Sequence, residues 1–176
     1  RTFSEGRART MENRKRAPVI LLLAVILAFV FAIPTSADEE GVIQYTAENG
    51  NMVVIHDAAE LLSEGEKESL LENMKSVTEY GHAAFITINE NYESADSYAE
   101  SRYYKLFGEQ SGTLFLIDMD NRMIWFYSDG RFAKLINNTK SNEIATNIYK
   151  YASREEYYEC ANEAFSQVLI ILKDGR

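Results

Sequence analysis

The sequence predicts an α/β fold: a three-layer α/β/α sandwich around a mixed, mostly parallel sheet, following an N-terminal signal peptide. Three observations predict it. Short apolar runs such as Ala83 to Ile88 and Thr113 to Ile117 have the length of strands and the composition of strands covered on both faces. Between them lie amphipathic stretches with apolar residues at helical spacing. The order reads strand, helix, strand, helix, hairpin, helix, helix, which favours helices layered on both faces of a sheet that is parallel except for one strand.

The first part of the chain reads as an address rather than as fold. Residues 1–10 precede Met11 and read as an upstream remnant. Met11 is followed by Arg14-Lys15-Arg16, the apolar run Val19 to Ile33, and Pro34-Thr35-Ser36-Ala37. A basic start, a short apolar core and small residues before a cleavage point are the layout of a secretory signal over residues 11–37. The apolar run is shorter than the roughly 20 residues that span a bilayer. The alternative is an uncleaved N-terminal membrane anchor. Either way the domain, residues 38–176, is expected to be exported and extracytoplasmic.

Charge separates the two parts. Of the 18 Lys/Arg and 27 Asp/Glu, residues 38–176 hold 12 and 25, a net charge of −13. A domain that acidic repels nucleic acid and attracts cations, so a nucleic-acid partner is excluded from the reading. Cys160 is the single cysteine, so no intrachain disulfide can form, and its place among small helical residues marks it as structural.

Within the domain, Val42 to Tyr45 and Met52 to Ile55 flank the turn-like Glu48-Asn49-Gly50-Asn51 and read as short strands. Ser63-Glu64-Gly65-Glu66 is a capping box, followed by a helix with Leu70, Leu71, Met74 and Val77 on one face. Gly81 stops it. Residues 94–107 form a second helix closed by Gly108, with Tyr98, Ala99, Tyr103, Leu106 and Phe107 at helical spacing. Gly112 to Gly130 reads as a hairpin, with Asp120-Asn121 taking the positive φ of its turn. It is apolar enough to be expected in the middle of the sheet, with Trp125 in the core. Arg131 to Ile136 is a short irregular or helical piece. Ser141 is the expected cap of the next helix, and Ser153-Arg154-Glu155-Glu156 is the capping box expected to open the last one.

With the elements in order, the chain resembles the TPM domain family, which includes exported bacterial proteins and the plant thylakoid lumen protein of photosystem II repair. The resemblance lies in Val54-x-x-Asp57-x-Ala59-x-x-Leu62-Ser63, Ser97-Tyr98-Ala99, Gly112-Thr-Leu-Phe-Leu-Ile, Asp120-Asn121-Arg122, Ser128-Asp129-Gly130 and Tyr157-Tyr158. It implies an extracytoplasmic α/β/α domain. It also implies divalent cation binding in some members, calcium especially, acid phosphatase activity in some plant members, and roles in assembly or maintenance of membrane complexes in others. Members often carry Gly-x-Gly-Leu-Glu after the second hairpin strand and another acid soon after. Here Gly130-Arg131-Phe132-Ala133 and Asn137-Asn138 stand in those places, which points to weak cation affinity.

Three acids are the candidate metal ligands: Asp57, Asp118 and Asp120. Right-handed crossovers bring the ends of the first, second and third strands of a parallel set to one rim, where open α/β sheets bind ligands. Oxygen-only ligands select Ca²⁺ or Mg²⁺. The same acids also suit plain turn and helix-start roles. Asp118-x-Asp120 after an apolar strand matches aspartyl-nucleophile phosphatases only loosely, since Arg122 opens the next strand at once and leaves no substrate loop. No P-loop, dinucleotide glycine pattern, EF-hand spacing or zinc cluster is present, so no small-molecule cofactor is expected. The reading is a non-catalytic module that binds a divalent cation, a membrane-complex partner, or both. The alternative is a metal-assisted acid phosphatase.

Overall fold

The computed structural model describes residues 41–175, and the expected signal peptide over residues 11–37 lies outside them. Five strands form one sheet: β1 (Val42–Thr46), β2 (Met52–Asp57), β3 (His82–Ile88), β4 (Gly112–Asp118) and β5 (Met123–Asp129), side by side in that order. β2, β3 and β4 are parallel, and β1 and β5 are antiparallel at the two edges. The sheet therefore has two antiparallel strands, where one was expected. The extra one arises because residues 47–51 close tightly, with the Ala47 and Asn51 backbones bonded at 2.9 Å, and fold β1 back onto β2.

Helices cover both faces. On one face α1 (Glu64–Lys75), α4 (Asn138–Ala152) and α5 (Tyr157–Asp174) enclose Val53, Ile55, Phe85, Phe115 and Ile117. On the other, α2 (Ala95–Phe107) packs Ala99, Tyr103 and Phe107 onto Val54, Ile86, Leu114 and Leu116. The alternation of strand side chains thus feeds two separate cores. Burying each large apolar side chain contributes roughly 1.5–3 kcal/mol, so both faces stabilise the sheet. Gly112 is required by this packing: a Cβ there would lie 2.5 Å from the His82 carbonyl oxygen on the neighbouring strand.

The first capping box forms as expected. Ser63 Oγ accepts from the Glu66 amide, and the Glu66 carboxylate accepts from the Ser63 amide at 2.7 Å. These bonds hold the Glu66 carboxyl below its ordinary value. Gly108 closes α2 at a φ of 59°. The other two caps are corrected. Asn137, whose Oδ1 accepts from Thr139 and Lys140, caps α4, so Ser141 falls inside the first turn and its hydroxyl bonds back to the Asn137 carbonyl. Ser153 ends α4, with its hydroxyl on the Tyr149 carbonyl, and α5 begins at Tyr157 with no side-chain cap.

The hairpin does not occupy the middle of the sheet. β3 is the central strand, and β5 is an edge. Trp125 is 37% exposed rather than in the core. The α3 (Arg131–Leu135) and α4 segments turn under the sheet directly after β5, so no later strand is left to cover it.

Candidate functional site

Parallel packing brings the ends of β2, β3 and β4 to one rim, at Asp57, Ile88 and Asp118. Asp57 and Asp118 are both buried there, at 5% and 1% exposure, yet they face opposite ways. Asp57 continues the Val53 and Ile55 side, which packs against α1 and α5. Asp118 continues the Leu114 and Leu116 side, which packs against α2.

Asp57 organises the start of α1. Its Oδ1 accepts from the Leu61 amide at 3.0 Å and the Thr87 hydroxyl at 2.5 Å, and its Oδ2 accepts from the Leu62 amide at 2.8 Å. Lys67 Nζ stands 3.9 Å away and offsets the buried charge. Thr87, directly across in the β2–β3 register, also accepts from the Ala59 amide at 3.0 Å. The side chain holds a left-handed turn at Glu60, φ 53°, in place.

Asp118 laces two loops together. Its Oδ1 accepts from the amides of Asp120 at 3.1 Å and Asn121 at 3.0 Å. Its Oδ2 accepts from the Asn121 side chain at 2.8 Å and the Asn91 side chain at 2.7 Å. Four N–H donors match the four acceptor sites of an ionised carboxylate. Burial alone pushes the Asp118 carboxyl up, but the backbone and side-chain bonds from Asn121, with those from Asn91 and Asp120, outweigh it and hold the group below its ordinary value. Asp120 is exposed, and its Oδ2 accepts from the Asn91 amide at 3.1 Å. Asn91 closes its own loop by accepting from the Glu93 amide, and Asn121 donates to the Glu93 carbonyl at 3.2 Å. The positive φ in the hairpin turn falls on Arg122, at 55°, instead of on Asp120 or Asn121.

The rim thus joins Asp118 and Asp120 and leaves Asp57 on the other face. Among the described residues no group of three His, Cys, Asp or Glu side chains could hold a metal ion together. The donors present near Asp118 are carboxylate, amide and backbone oxygens, which suit a hard cation in chemistry. Right-handed crossovers place the Asn89-Glu90-Asn91 loop at this edge, but Asn91 was not among the candidate ligands. Its only signal was its place in the loop after β3.

Outside the rim, the other reactive side chains serve the fold. Cys160 is buried in α5, and burial pushes its thiol up to about 12. His82 sits at the opposite end of the sheet, where its Nδ1 accepts from the Met52 amide at 3.0 Å, its Nε2 pairs with Gln110 at 2.7 Å, and its ring stacks on Phe107. His56 Nδ1 lies 3.1 Å from the Arg102 guanidinium.

A mixed sheet of this order, sandwiched between helices with two loops laced at the carboxyl rim, defines an α/β/α sandwich domain. A family model for the TPM domain matches residues 55–169, and the chain belongs to that family. No curated protein matches it. Two solved structures share the fold. One is the N-terminal domain of a P. gingivalis protein, determined in solution, with 16% identity and a TM-score of 0.62 over 69% of this chain and 82% of that one. The other is the BA42 protein from the psychrophilic bacterium Bizionia argentinensis, with 11% identity and a TM-score of 0.58 over 65% of this chain and 83% of that one.

Proposed function

We propose that this TPM domain is an exported, non-catalytic module that joins a partner in a membrane-associated complex and takes a divalent cation weakly at the Asp118–Asp120 rim. The observation that carries the non-catalytic part is the state of Asp118. Its acceptor sites are filled by N–H donors from Asn91, Asp120 and Asn121, so it is engaged as a structural hub and has no lone pair turned to phosphorus or to a proton. Cys160, with its thiol raised by burial, does not offer a thiolate nucleophile.

Oxygen-only chemistry at the rim supports Ca²⁺ or Mg²⁺ over zinc. Asp120 spends one carboxylate oxygen on the Asn91 amide and leaves the other for a ligand. Asp118, its acceptor sites already taken, adds only its negative charge nearby, and water completes the shell. Asp57 is not part of this set, because it faces the other side of the sheet. One free carboxylate oxygen beside a second, fully bonded carboxylate supports a dissociation constant on the order of 10⁻⁴ to 10⁻³ M, as in extracellular modules. Export is supported by the signal layout of residues 11–37.

A thermal melt in millimolar CaCl₂, beside NaCl of equal ionic strength, tests the cation. At ten times the dissociation constant the gain is about 1.4 kcal/mol. No excess over NaCl overturns the site. Incubation with a generic phosphomonoester, with and without Ca²⁺ or Mg²⁺, tests the rest. Turnover abolished by Asp120→Asn overturns the non-catalytic reading in favour of a phosphatase. The intact mass of protein recovered outside the cytoplasm decides export and cleavage after Ala37.

A further inference from the structure

We propose that the open edge of β5 is a strand-accepting groove for an extended, basic polypeptide segment. This rests on the reading of the domain as a partner-binding module and names its surface. The cation rim plays no part in it.

β5 is an edge strand, so every second residue directs its backbone amide and carbonyl away from the sheet. Exposed edges are commonly blunted by lysine, proline or a bulge. β5 has none of these. Met123 to Ser128 is free of charge and proline, and its register with β4 runs unbroken from Asp118↔Met123 to Gly112↔Asp129. A groove of about 550 Å³ follows this edge, lined by the four consecutive residues Trp125 to Ser128. Consecutive strand residues point to opposite faces. A groove that touches all four therefore crosses the strand's edge instead of lying on one face. Its walls confirm that placement: Asp96 and Glu100 come from α2 above the sheet, and Ala133 and Ile136 come from the segment below it.

The walls also choose the occupant. Asp96 and Glu100 are exposed, and the Ser94 hydroxyl helps keep Asp96 ionised. The domain as a whole carries an excess of negative charge, 25 Asp/Glu against 12 Lys/Arg over residues 38–176. A second copy paired through β5 would bring these carboxylates onto a like-charged neighbour. A segment with Lys or Arg at alternate positions places its cations against Asp96 and Glu100, with the Trp125 ring beside them for cation–π contact. Main-chain bonds supply affinity in this mode, and alternate side chains supply specificity.

Trp125 is the only tryptophan in the chain, so its fluorescence reports the groove without a label. The full chain, held in detergent, is titrated with three blocked decapeptides: alternating Lys–Val, alternating Glu–Val, and alternating Lys–Pro, which keeps the charge but loses every second amide donor. The Lys–Val peptide is expected to give a saturable change, with the other two at least tenfold weaker. The double variant Asp96→Asn, Glu100→Gln, checked for unchanged far-UV circular dichroism, should weaken Lys–Val binding about tenfold. Four results overturn the proposal. One is no saturable response to Lys–Val. Another is Lys–Pro binding equal to Lys–Val, which is general charge attraction. The third is unchanged affinity in the double variant, which puts the peptide elsewhere. Self-association that Lys–Val displaces makes a second copy the occupant and also overturns it. The broader reading is judged separately, by the native mass of the chain extracted from cells: a free monomer there overturns the partner module and leaves the peptide result intact.

Discussion

Strands β4 and β5 are neighbours in one hairpin and are apolar over most of their length, yet all of β4 is buried and none of β5 is. β4 lies between β3 and β5, so both of its hydrogen-bonding sides and both of its faces are covered. β5 has one partner. Its even residues, such as Phe126, still reach the first core, where Phe126 stacks on Phe115 at 4.6 Å. On its other face Tyr127 meets Tyr103 at 5.1 Å and its hydroxyl donates to that of Tyr104. Trp125 lies beyond this cluster and is the strand's exposed aromatic. Apolar composition alone therefore does not mark the centre of a sheet. An apolar strand whose outer edge stays open calls for another reason to be apolar, and a surface that binds chain is one.

The sharpest break in the comparison is between Phe115→Ala and Trp125→Ala. Phe115 is fully buried between Phe85, Phe126 and Phe165. Its truncation is expected to cost about 3–5 kcal/mol, because removal leaves a cavity that the packed sheet cannot close. Urea denaturation measures it, and a loss below about 2 kcal/mol would mean that the β4 face repacks freely.

Next in size is Asp118→Asn, expected to cost about 1.5–3 kcal/mol through the loss of charge-assisted acceptors for buried amides. This variant also sharpens the pH dependence. The folded Asp118 carboxyl lies below its ordinary value of 3.8. Its contribution is thus complete above that value and is lost as pH falls below it toward the folded value. Urea midpoints of wild type and Asp118→Asn should differ at pH 7 and converge as pH drops below about 4. A gap that stays constant would mean that the hydrogen bonds do not depend on the charge.

Trp125→Ala is the smaller partner of the first comparison, at about 1–2 kcal/mol, since water refills the space at an exposed edge and no cavity term arises. A cost equal to that of Phe115→Ala would place β5 under cover.

These elements also mark where the sequence was legible. The three parallel strands, α1 with its capping box, and α2 with its Gly108 stop follow from local patterns that the fold leaves intact. The edge position of β5 was not legible, because strand order depends on which elements come next in space, and periodicity carries no record of that. The caps of α4 and α5 were misplaced because Ser and Asn both serve as N-caps: the packed α4 takes Asn137 in place of Ser141, and α5 starts without any side-chain cap. At the rim, Asp118 and Asp120 were found as neighbours in sequence. Asp57 was grouped with them because strand ends share a rim, but the alternation along β2 and β4 turns Asp57 and Asp118 to opposite faces. Asn91 was missed because a loop asparagine has no pattern until its carboxylate partner is known.

The smallest expected effect separates the turn from the site. Asp120 touches one backbone amide, that of Asn91, and is exposed, so Asp120→Asn should change stability by less than about 0.5 kcal/mol without added cation. Asparagine keeps a side-chain oxygen for the Asn91 amide and removes only the charge. With calcium the two proteins should part. Wild type is expected to gain about 1.4 kcal/mol at ten times its dissociation constant, a rise of about 4 °C in Tm for a domain of this size, and Asp120→Asn should gain no more than it does in sodium chloride. This makes Asp120→Asn a cleaner test of the cation than Asp118→Asn, which disturbs the lacing of both loops. A calcium shift that survives in Asp120→Asn would take Asp120 out of the site and leave it as a turn residue, holding Asn91 beside the β4–β5 link.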